Sequence, residues 1–154
     1  MDETALTPLD PAYARMLRLK FSVVALVLMA GATVAEIAIP GYTGYVWAPV
    51  GLFAAWLLIR MPMRRYSARG YTLAEERLRV VRGILFRKDT VVPFGRVQHI
   101  DVNQGPLERA YDLATLTVHT AGTHNASVSL PGLAQEDAMA MREEIRAAIR
   151  RDTQ

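Results

Sequence analysis

A long apolar stretch near the start of the chain constrains its fold more than any other feature. Between residues 21 and 59 the only charged side chain is Glu36, and such apolar content excludes a disordered segment. Residues 21–39 and 45–61 each approach the length that a helix needs to cross the roughly 30 Å hydrocarbon layer of a bilayer. Pro40 and Gly41 begin a helix-breaking turn between them. The sequence therefore predicts a transmembrane helical hairpin over residues 21–62.

Cations flank this predicted hairpin. Residues 1–69 contain seven Arg or Lys and four Asp or Glu, whereas residues 70–154 contain eleven of each. The turn between the spans has no cation, so the positive-inside rule places both termini in the cytoplasm and makes residues 1–20 a cytoplasmic segment. The predicted membrane-interface residues are Arg15, Arg18, Lys20, Tyr42, Tyr45, Trp47, Arg60, Arg64, Arg65 and Arg69. Because this charge flanks the apolar spans, we expect a lipid bilayer as partner and no nucleic acid.

Two other interpretations of the apolar stretch remain open. Residues 21–35 are also compatible with the core of a cleaved signal peptide, although a second apolar segment follows. The other interpretation is a buried pair of helices in a soluble protein, although neither segment has the polar stripe of a soluble surface helix. Glu36 lies within a turn of the outer end of the first span, so we expect its carboxylate to reach water.

Small residues four apart occur in both predicted spans. They are Gly31 with Ala35 and Gly51 with Ala55. Since small side chains let helix backbones approach in a membrane, this spacing predicts close contact between the two spans at these residues.

The pattern changes to short alternating strands after Gly70. Strands are predicted over residues 71–73, 78–82, 84–92, 97–104, 113–120 and 126–130, and a final helix over residues 133–151. That helix has one apolar face, formed by Ala138, Met141, Ile145, Ala148 and Ile149. The pattern indicates an α+β domain over residues 70–151, with a curved sheet or open barrel covered at one end by the helix.

Four segments of this domain match a known family. YTL at residues 71–73, LRVVRGILFR at 78–87, VPFGRVQHIDVNQGPLER at 92–109 and LATLTVHTAG at 113–122 resemble the bacterial pleckstrin-homology-like (PH-like) family, in its YdbS-like membrane subgroup. The resemblance covers about residues 65–150 and implies a split β-barrel of two antiparallel sheets capped by the C-terminal helix. Asp112 stands where the family would have glycine, but Asp tolerates left-handed backbone, so we expect the turn to survive.

Four polar residues surround the two turns of the family phrase: Arg96, Gln98, Gln104 and Arg109. One interpretation is a surface that faces a ligand or a partner. The other is that these side chains satisfy loop carbonyls and hold the turns together, since buried loop backbone must be paired.

No pattern in the chain predicts catalysis. Cysteine is absent, as are a nucleophile elbow and a glycine-rich phosphate loop. His99 stands beside Asp101 on the polar side of its strand, while His119 and His124 flank a hairpin loop with no acid between residues 113 and 135. A zinc site needs three or four ligands, so we expect no metal, no cofactor and no enzymatic activity.

The sequence thus predicts a non-enzymatic, multi-pass protein of the bacterial inner membrane. Its cytoplasmic PH-like domain is expected to mediate protein–protein interaction in a membrane complex, with another PH-like membrane protein or with a second copy. The alternative is a module that senses phospholipid headgroups at the inner leaflet, because a fold of this kind serves lipid and protein binding alike.

Overall fold

A computed structural model describes residues 6–38, 44–74, 76–121 and 127–152. The helices are α1 (Pro11–Ala38), α2 (Trp47–Ser67), α3 (Pro106–Ala110) and α4 (Gln135–Asp152). The strands are β1 (Gly70–Ala74), β2 (Arg77–Arg82), β3 (Lys88–Pro93), β4 (Val97–Asn103), β5 (Leu113–Thr120) and β6 (Ser127–Ala134), with a 3₁₀ turn at Phe94–Arg96. The described chain is therefore α+β, as predicted.

The six strands form two three-stranded antiparallel sheets, in the orders β1-β2-β3 and β4-β5-β6. Alternation decides which face of the second sheet is buried: Leu116 and Val118 of β5 point into the core, while Thr115 and Thr117 between them lie on the other face. The apolar side of α4 covers this core, with Ala138 and Ile145 fully buried. The predicted hairpin of β1 and β2 and the predicted apolar face of α4 are confirmed.

The first helix begins earlier than the apolar stretch does. α1 starts at Pro11, ten residues before the predicted span, and runs without a break to Ala38. The Asp10 carboxylate accepts a hydrogen bond from the Ala12 N–H at 2.6 Å and so caps the helix. Tyr13 and Met16 then pack into the same hydrophobic core as the sheets. One rigid element thus joins that core to the apolar segment.

The chain just before α1 is also fastened to the rest of the fold. Thr7 and Tyr71 exchange two backbone hydrogen bonds, of 2.7 and 3.1 Å, which add a short bridge to β1. The Tyr66 hydroxyl at the end of α2 donates to the Leu9 carbonyl at 2.9 Å. Gly132 adopts φ +80°, and a Cβ there would lie 2.5 Å from Cγ of Tyr13, so the Tyr13 ring packs directly on this backbone.

α1 and α2 pack side by side, but not through the residues predicted from their spacing. The buried positions are Ala25 and Ala32 on α1 and Ala54 and Leu57 on α2. A Cβ added at Gly31 or Gly51 would meet nothing within 4 Å. The prediction that these glycines line the α1–α2 contact is therefore wrong, because the rotation of each helix turns its alanines inward instead.

Two predicted boundaries also move. The strand expected over residues 84–92 begins only at Lys88, because Gly83 adopts φ +124° and turns the chain into a loop at residues 83–87. β6 extends to Ala134, so α4 starts two residues later than predicted. Asp112 adopts φ 54°, the left-handed turn that was expected of it.

Candidate functional site

The second half of α1 presents large apolar side chains to its surroundings. Leu26 is 70% exposed and Ile37 is 77% exposed. The most apolar 18-residue window of this helix has a mean hydropathy of 2.1, and 11% of that window is buried. Among the described helices, α1 meets the length and composition expected of a membrane span. An outward apolar surface of this extent indicates a lipid surrounding.

α2 carries a similar outward surface on its first four turns. Leu52, Phe53, Trp56 and Ile59 are all exposed, and Phe53 stacks on Trp56 with ring centroids 5.8 Å apart. The lone acid of the apolar stretch binds the start of this helix, since the Glu36 carboxylate accepts hydrogen bonds from the backbone N–H groups of Gly44 and Val46. The Glu36 side chain was expected to reach water, and its contact with the start of α2 was not predicted.

Aromatic and cationic contacts bring one end of each helix to the same level. The Arg65 guanidinium lies over the Phe21 ring, 5.3 Å from its centroid, and the Arg18 guanidinium lies 4.0 Å from the Met63 sulfur. The exposed predicted interface residues at this end are Arg15, Arg18, Lys20, Arg60, Arg64 and Arg65, while Arg69 is half-buried. Tyr45 and Trp47 are exposed at the opposite end, and Tyr42 lies outside the described residues.

An apolar loop reaches the cationic end of α2. β1 follows α2 directly and its Gly70 pairs with Val81, so the end of β2 and the loop at residues 83–87 lie beside the last turn of α2. Leu85 is 86% exposed and Phe86 is 88% exposed at the tip of this loop. A Cβ at Gly83 would lie 1.9 Å from the Phe86 carbonyl oxygen, which makes glycine necessary for the loop to close.

Loop and helix together form an open groove of about 500 Å³, which we call the basic groove. Its lining includes four cations and three apolar side chains: Arg65, Arg69, Arg82, Lys88, Ile84, Leu85 and Phe86. Within the described residues no carboxylate lines it. A groove lined by four cations and three apolar side chains is suited to an anionic, partly apolar ligand.

One cation of the basic groove is fixed from beneath. Arg69 donates a hydrogen bond to the Tyr13 hydroxyl, and its guanidinium lies 5.6 Å from the centroid of the Tyr13 ring. Burial raises the pKa of Tyr13, and the neighbouring guanidinium of Arg69 acts in the opposite direction. The contact links the groove to the first turn of α1, so the groove depends on residues far away in sequence.

The four polar residues of the family phrase do not form one cluster. Arg96 and Gln98 are exposed around the start of β4, whereas Gln104 and Arg109 follow its end, some 20 Å along the strand. The Gln104 amide donates to the Leu113 carbonyl at 2.8 Å and lies 3.1 Å from the Gln135 side-chain oxygen. The Gln104 side chain therefore pairs with a loop carbonyl and holds the turn, as in the second of the two interpretations of these residues.

The basic groove was not predicted, because the apolar residues 84–86 are also compatible with a strand. The signal that was available is Gly83 followed by three apolar residues and then two cations, Arg87 and Lys88. That order is typical of a loop with an apolar tip. Its position beside Arg65 and Arg69 depends on strand register, which the sequence alone does not give.

Comparison with known proteins identifies the family. The bacterial PH domain family matches residues 16–149 of the chain. The UPF0699 transmembrane protein YdbS of Bacillus subtilis (strain 168) is 34% identical over 107 residues, which is 70% of this chain. The matched region spans 64% of that relative's length. No solved structure matches the chain. The family match begins at residue 16, within α1, in agreement with the packing of that helix on the sheets. The chain therefore belongs to the bacterial PH domain family, in its YdbS-like membrane subgroup.

Proposed function

We propose that this chain is a non-enzymatic, multi-pass inner-membrane protein whose PH-like domain contacts anionic phospholipid headgroups at the inner leaflet. In this proposal α1 and α2 both cross the bilayer, both termini are cytoplasmic, and the two sheets with α4 form a split barrel over residues 70–151. The basic groove is the observation that carries it. The outward apolar surface of α2 and the cations at its end support the second span and the orientation.

The position of the basic groove favours a lipid as its ligand. Arg65 lines the groove and also lies over Phe21, the residue at which the apolar part of α1 begins. A groove at this level is next to the headgroups of the lipids that surround α1 and α2. Each cation near an anionic leaflet contributes about 1 kcal/mol. Insertion of Leu85 and Phe86 into the interface adds roughly 1.5–3 kcal/mol for each fully buried side chain.

Lipid retention by the full chain tests this proposal. Nanodiscs of mixed phosphatidylglycerol and phosphatidylcholine supply both headgroups, and native mass spectrometry after extraction counts the lipids that remain bound. We expect preferential retention of phosphatidylglycerol, and its loss in the variant Arg82→Gln/Lys88→Gln. The matched control, Arg150→Gln/Arg151→Gln, removes two cations from the last turn of α4, outside the groove. No preference in the wild-type chain, or equal loss in both variants, contradicts the proposal.

A fluorophore on the loop tests the membrane contact itself. The chain has no cysteine, so Leu85→Cys and Met139→Cys each give a single labelling site, and Met139 is an exposed position on α4. We expect the label at residue 85 to be shielded from an aqueous quencher in anionic nanodiscs, and the label at residue 139 to remain accessible. Equal quenching at both sites argues against insertion of the loop.

We propose, as a second function, association with another copy or with another PH-like membrane protein. The supporting observation is that Gly31 and Gly51 lie where an added Cβ meets nothing within 4 Å, which leaves small residues open to a further helix. Energy transfer between labelled copies in liposomes measures this association. Gly31→Leu is expected to reduce it, and Val27→Leu, at another exposed position of α1, is expected not to. Transfer no greater than that of randomly distributed proteins contradicts the proposal.

A further inference from the structure

Two histidines and an aspartate meet on the solvent-facing side of the β4-β5-β6 sheet. His99 and His119 stack with ring centroids 4.1 Å apart and an interplanar angle of 10°. The Asp101 Oδ2 atom lies 3.5 Å from Nε2 of His99 and 3.2 Å from Nε2 of His119. The ligand atoms of all three side chains lie within 4.8 Å of one another. The three residues, which we call the His-Asp cluster, lie apart from the basic groove.

A β-bulge creates the pairing of the histidines. Val97 pairs with Thr120, but the register shifts between Val97 and His99, so that His99 lies opposite His119. Without this shift His99 would face Val118, and the two imidazoles would be on opposite sides of the sheet. Bulges of this kind re-aim side chains and are frequent near functional sites.

The third member follows from the period of the strand. Asp101 is two residues after His99 on β4 and so points to the same side. It pairs with Thr117 and is therefore the diagonal neighbour of His119. The Asp101 carboxylate lies within 3.5 Å of both imidazoles, while Thr117 shares a hydrogen bond of 3.2 Å with Ser129. Two strands thus place three potential ligands on one face.

We propose that the His-Asp cluster binds a divalent transition-metal ion. Zinc ligands lie about 2.0–2.2 Å from the ion, so neighbouring ligands of a tetrahedral site are about 3.3–3.6 Å apart. The two nitrogen–oxygen distances of the cluster, 3.5 and 3.2 Å, are close to this range, and all of its ligand atoms lie within 4.8 Å of one another. The expectation of no metal rested on His119 paired with His124, which lies outside the described residues, whereas the contact of His119 with the neighbouring strand depends on register.

The chemistry of the ligands defines the class of ion. Two imidazoles and one carboxylate suit Zn²⁺, Co²⁺, Ni²⁺ and Cu²⁺, whereas Mg²⁺ and Ca²⁺ prefer sets made of oxygen alone. Three protein ligands leave a position of a tetrahedral ion for water or for a small anion. The side chains are partly exposed, so an ion reaches them from solution without any movement of the fold.

Metal titration of the full chain tests this proposal. The chain, purified in detergent without a polyhistidine tag, is titrated with Zn²⁺ by calorimetry and with Co²⁺ by visible absorption. We expect binding of a single ion, with Co²⁺ bands typical of nitrogen and oxygen ligands. His99→Gln, Asp101→Asn and His119→Gln should each weaken Zn²⁺ binding at least about tenfold. The matched control, Glu143→Gln, removes an exposed acid of α4 and should leave it unchanged.

The outcomes separate this site from other metal-binding groups on the chain. All three residues lie at the surface, so their variants should keep the wild-type circular dichroism spectrum, which is recorded for each. Flat titrations of the wild-type chain overturn the proposal. So does binding that survives all three substitutions, or binding that is lost in His124→Gln and retained in the other variants. None of these results depends on whether the basic groove binds lipid.

Discussion

The two halves of α1 are one continuous helix in two different surroundings. In the first half Met16 and Leu17 are buried in the hydrophobic core that the strands share, while in the second half Leu26 and Ile37 point outward and touch little protein. The first half is amphipathic and carries three cations, whereas residues 21–38 carry one charged side chain, that of Glu36. The two halves also differ in what surrounds them. The apolar face of the first half packs into the PH-like core, whereas nearly the whole circumference of the second half faces lipid.

The N-terminal region is part of the folded domain as well as a flank of the apolar segment. Residues before the apolar stretch look like a charged flank, because Arg15, Arg18 and Lys20 dominate it. The same turns of α1 also supply Ala12, Tyr13 and Met16, all of them buried, to the core. A helix shared by the core and the membrane cannot tilt in one without moving in the other. We therefore expect the orientation of the domain on the leaflet to be fixed.

The largest expected difference between the two halves of α1 is in the stability lost when one leucine of each half is replaced by alanine. Leu17→Ala removes a buried side chain, and we expect it to lower the free energy of unfolding by about 2–5 kcal/mol. Leu26→Ala makes the same chemical change at an outward position and should alter it by about 0.5 kcal/mol or less. Chemical denaturation of the chain in a mild detergent, followed by circular dichroism, measures both. A loss for Leu17→Ala as small as that for Leu26→Ala would mean that residues 11–20 are not part of the core.

Two glycine-to-alanine substitutions test the same difference between the halves of α1, with a smaller expected change in stability. Gly132→Ala places a methyl group against the Tyr13 ring at φ +80°, and we expect a loss of about 1–3 kcal/mol. Gly31→Ala, in the outward half of α1, meets no atom within 4 Å and should be neutral or raise stability by up to about 1 kcal/mol through helix propensity. The same denaturation assay applies. A neutral Gly132→Ala would contradict the packing of α1 on β6.

The smallest expected effect is a decline in the stability of the fold at alkaline pH, to which Tyr13 in the first half of α1 contributes. Burial raises the pKa of Tyr13 above its ordinary value near 10, so the folded chain keeps a proton that the unfolded chain loses. This contribution to stability is complete below about pH 10 and disappears as the pH rises through the folded pKa. Tyr13→Phe should cost about 1 kcal/mol at neutral pH, through the lost hydrogen bond from Arg69, and should reduce the alkaline decline.

A second tyrosine determines how much of that decline remains. Burial, with a smaller contribution from Asp137, also raises the pKa of Tyr71, so Tyr13→Phe should leave part of the decline in place. Stability of both chains is measured at several pH values between roughly 8 and 11. An alkaline decline as steep in Tyr13→Phe as in the wild-type chain would show that Tyr13 does not contribute to it.

Short sequence patterns predicted the elements whose conformation depends mainly on residues close together in the chain. The alternation of β5, the turn at Asp112 and the apolar face of α4 can each be recognised within a few residues. The register of β4 against β5 cannot, because a single bulge decides whether His99 faces His119 or Val118. The loop at residues 83–87 is a similar case, since an apolar triplet has the same composition in a buried strand and at an exposed tip.

The N-terminal half of α1 was open to prediction but not recognised. Ala12, Met16 and Leu17 follow the spacing of an amphipathic helix, with Arg15 and Arg18 on the other side. What the sequence does not provide is the partner of that face, which is built from β6 and from the end of α2. Prediction of the basic groove has the same limit, since it needs Arg65, Arg82 and the loop in one place.

Spin-label accessibility along α1 tests the central claim most directly. The cysteine-free chain allows single labels at Arg15, Lys20, Leu26 and Val34, all of them exposed positions of one helix. In liposomes, we predict that labels at residues 15 and 20 collide mainly with a water-soluble nickel chelate, and labels at residues 26 and 34 mainly with oxygen dissolved in the bilayer. Nickel access at residues 26 and 34 as high as at residue 15 would contradict a helix that passes from the PH-like core into lipid.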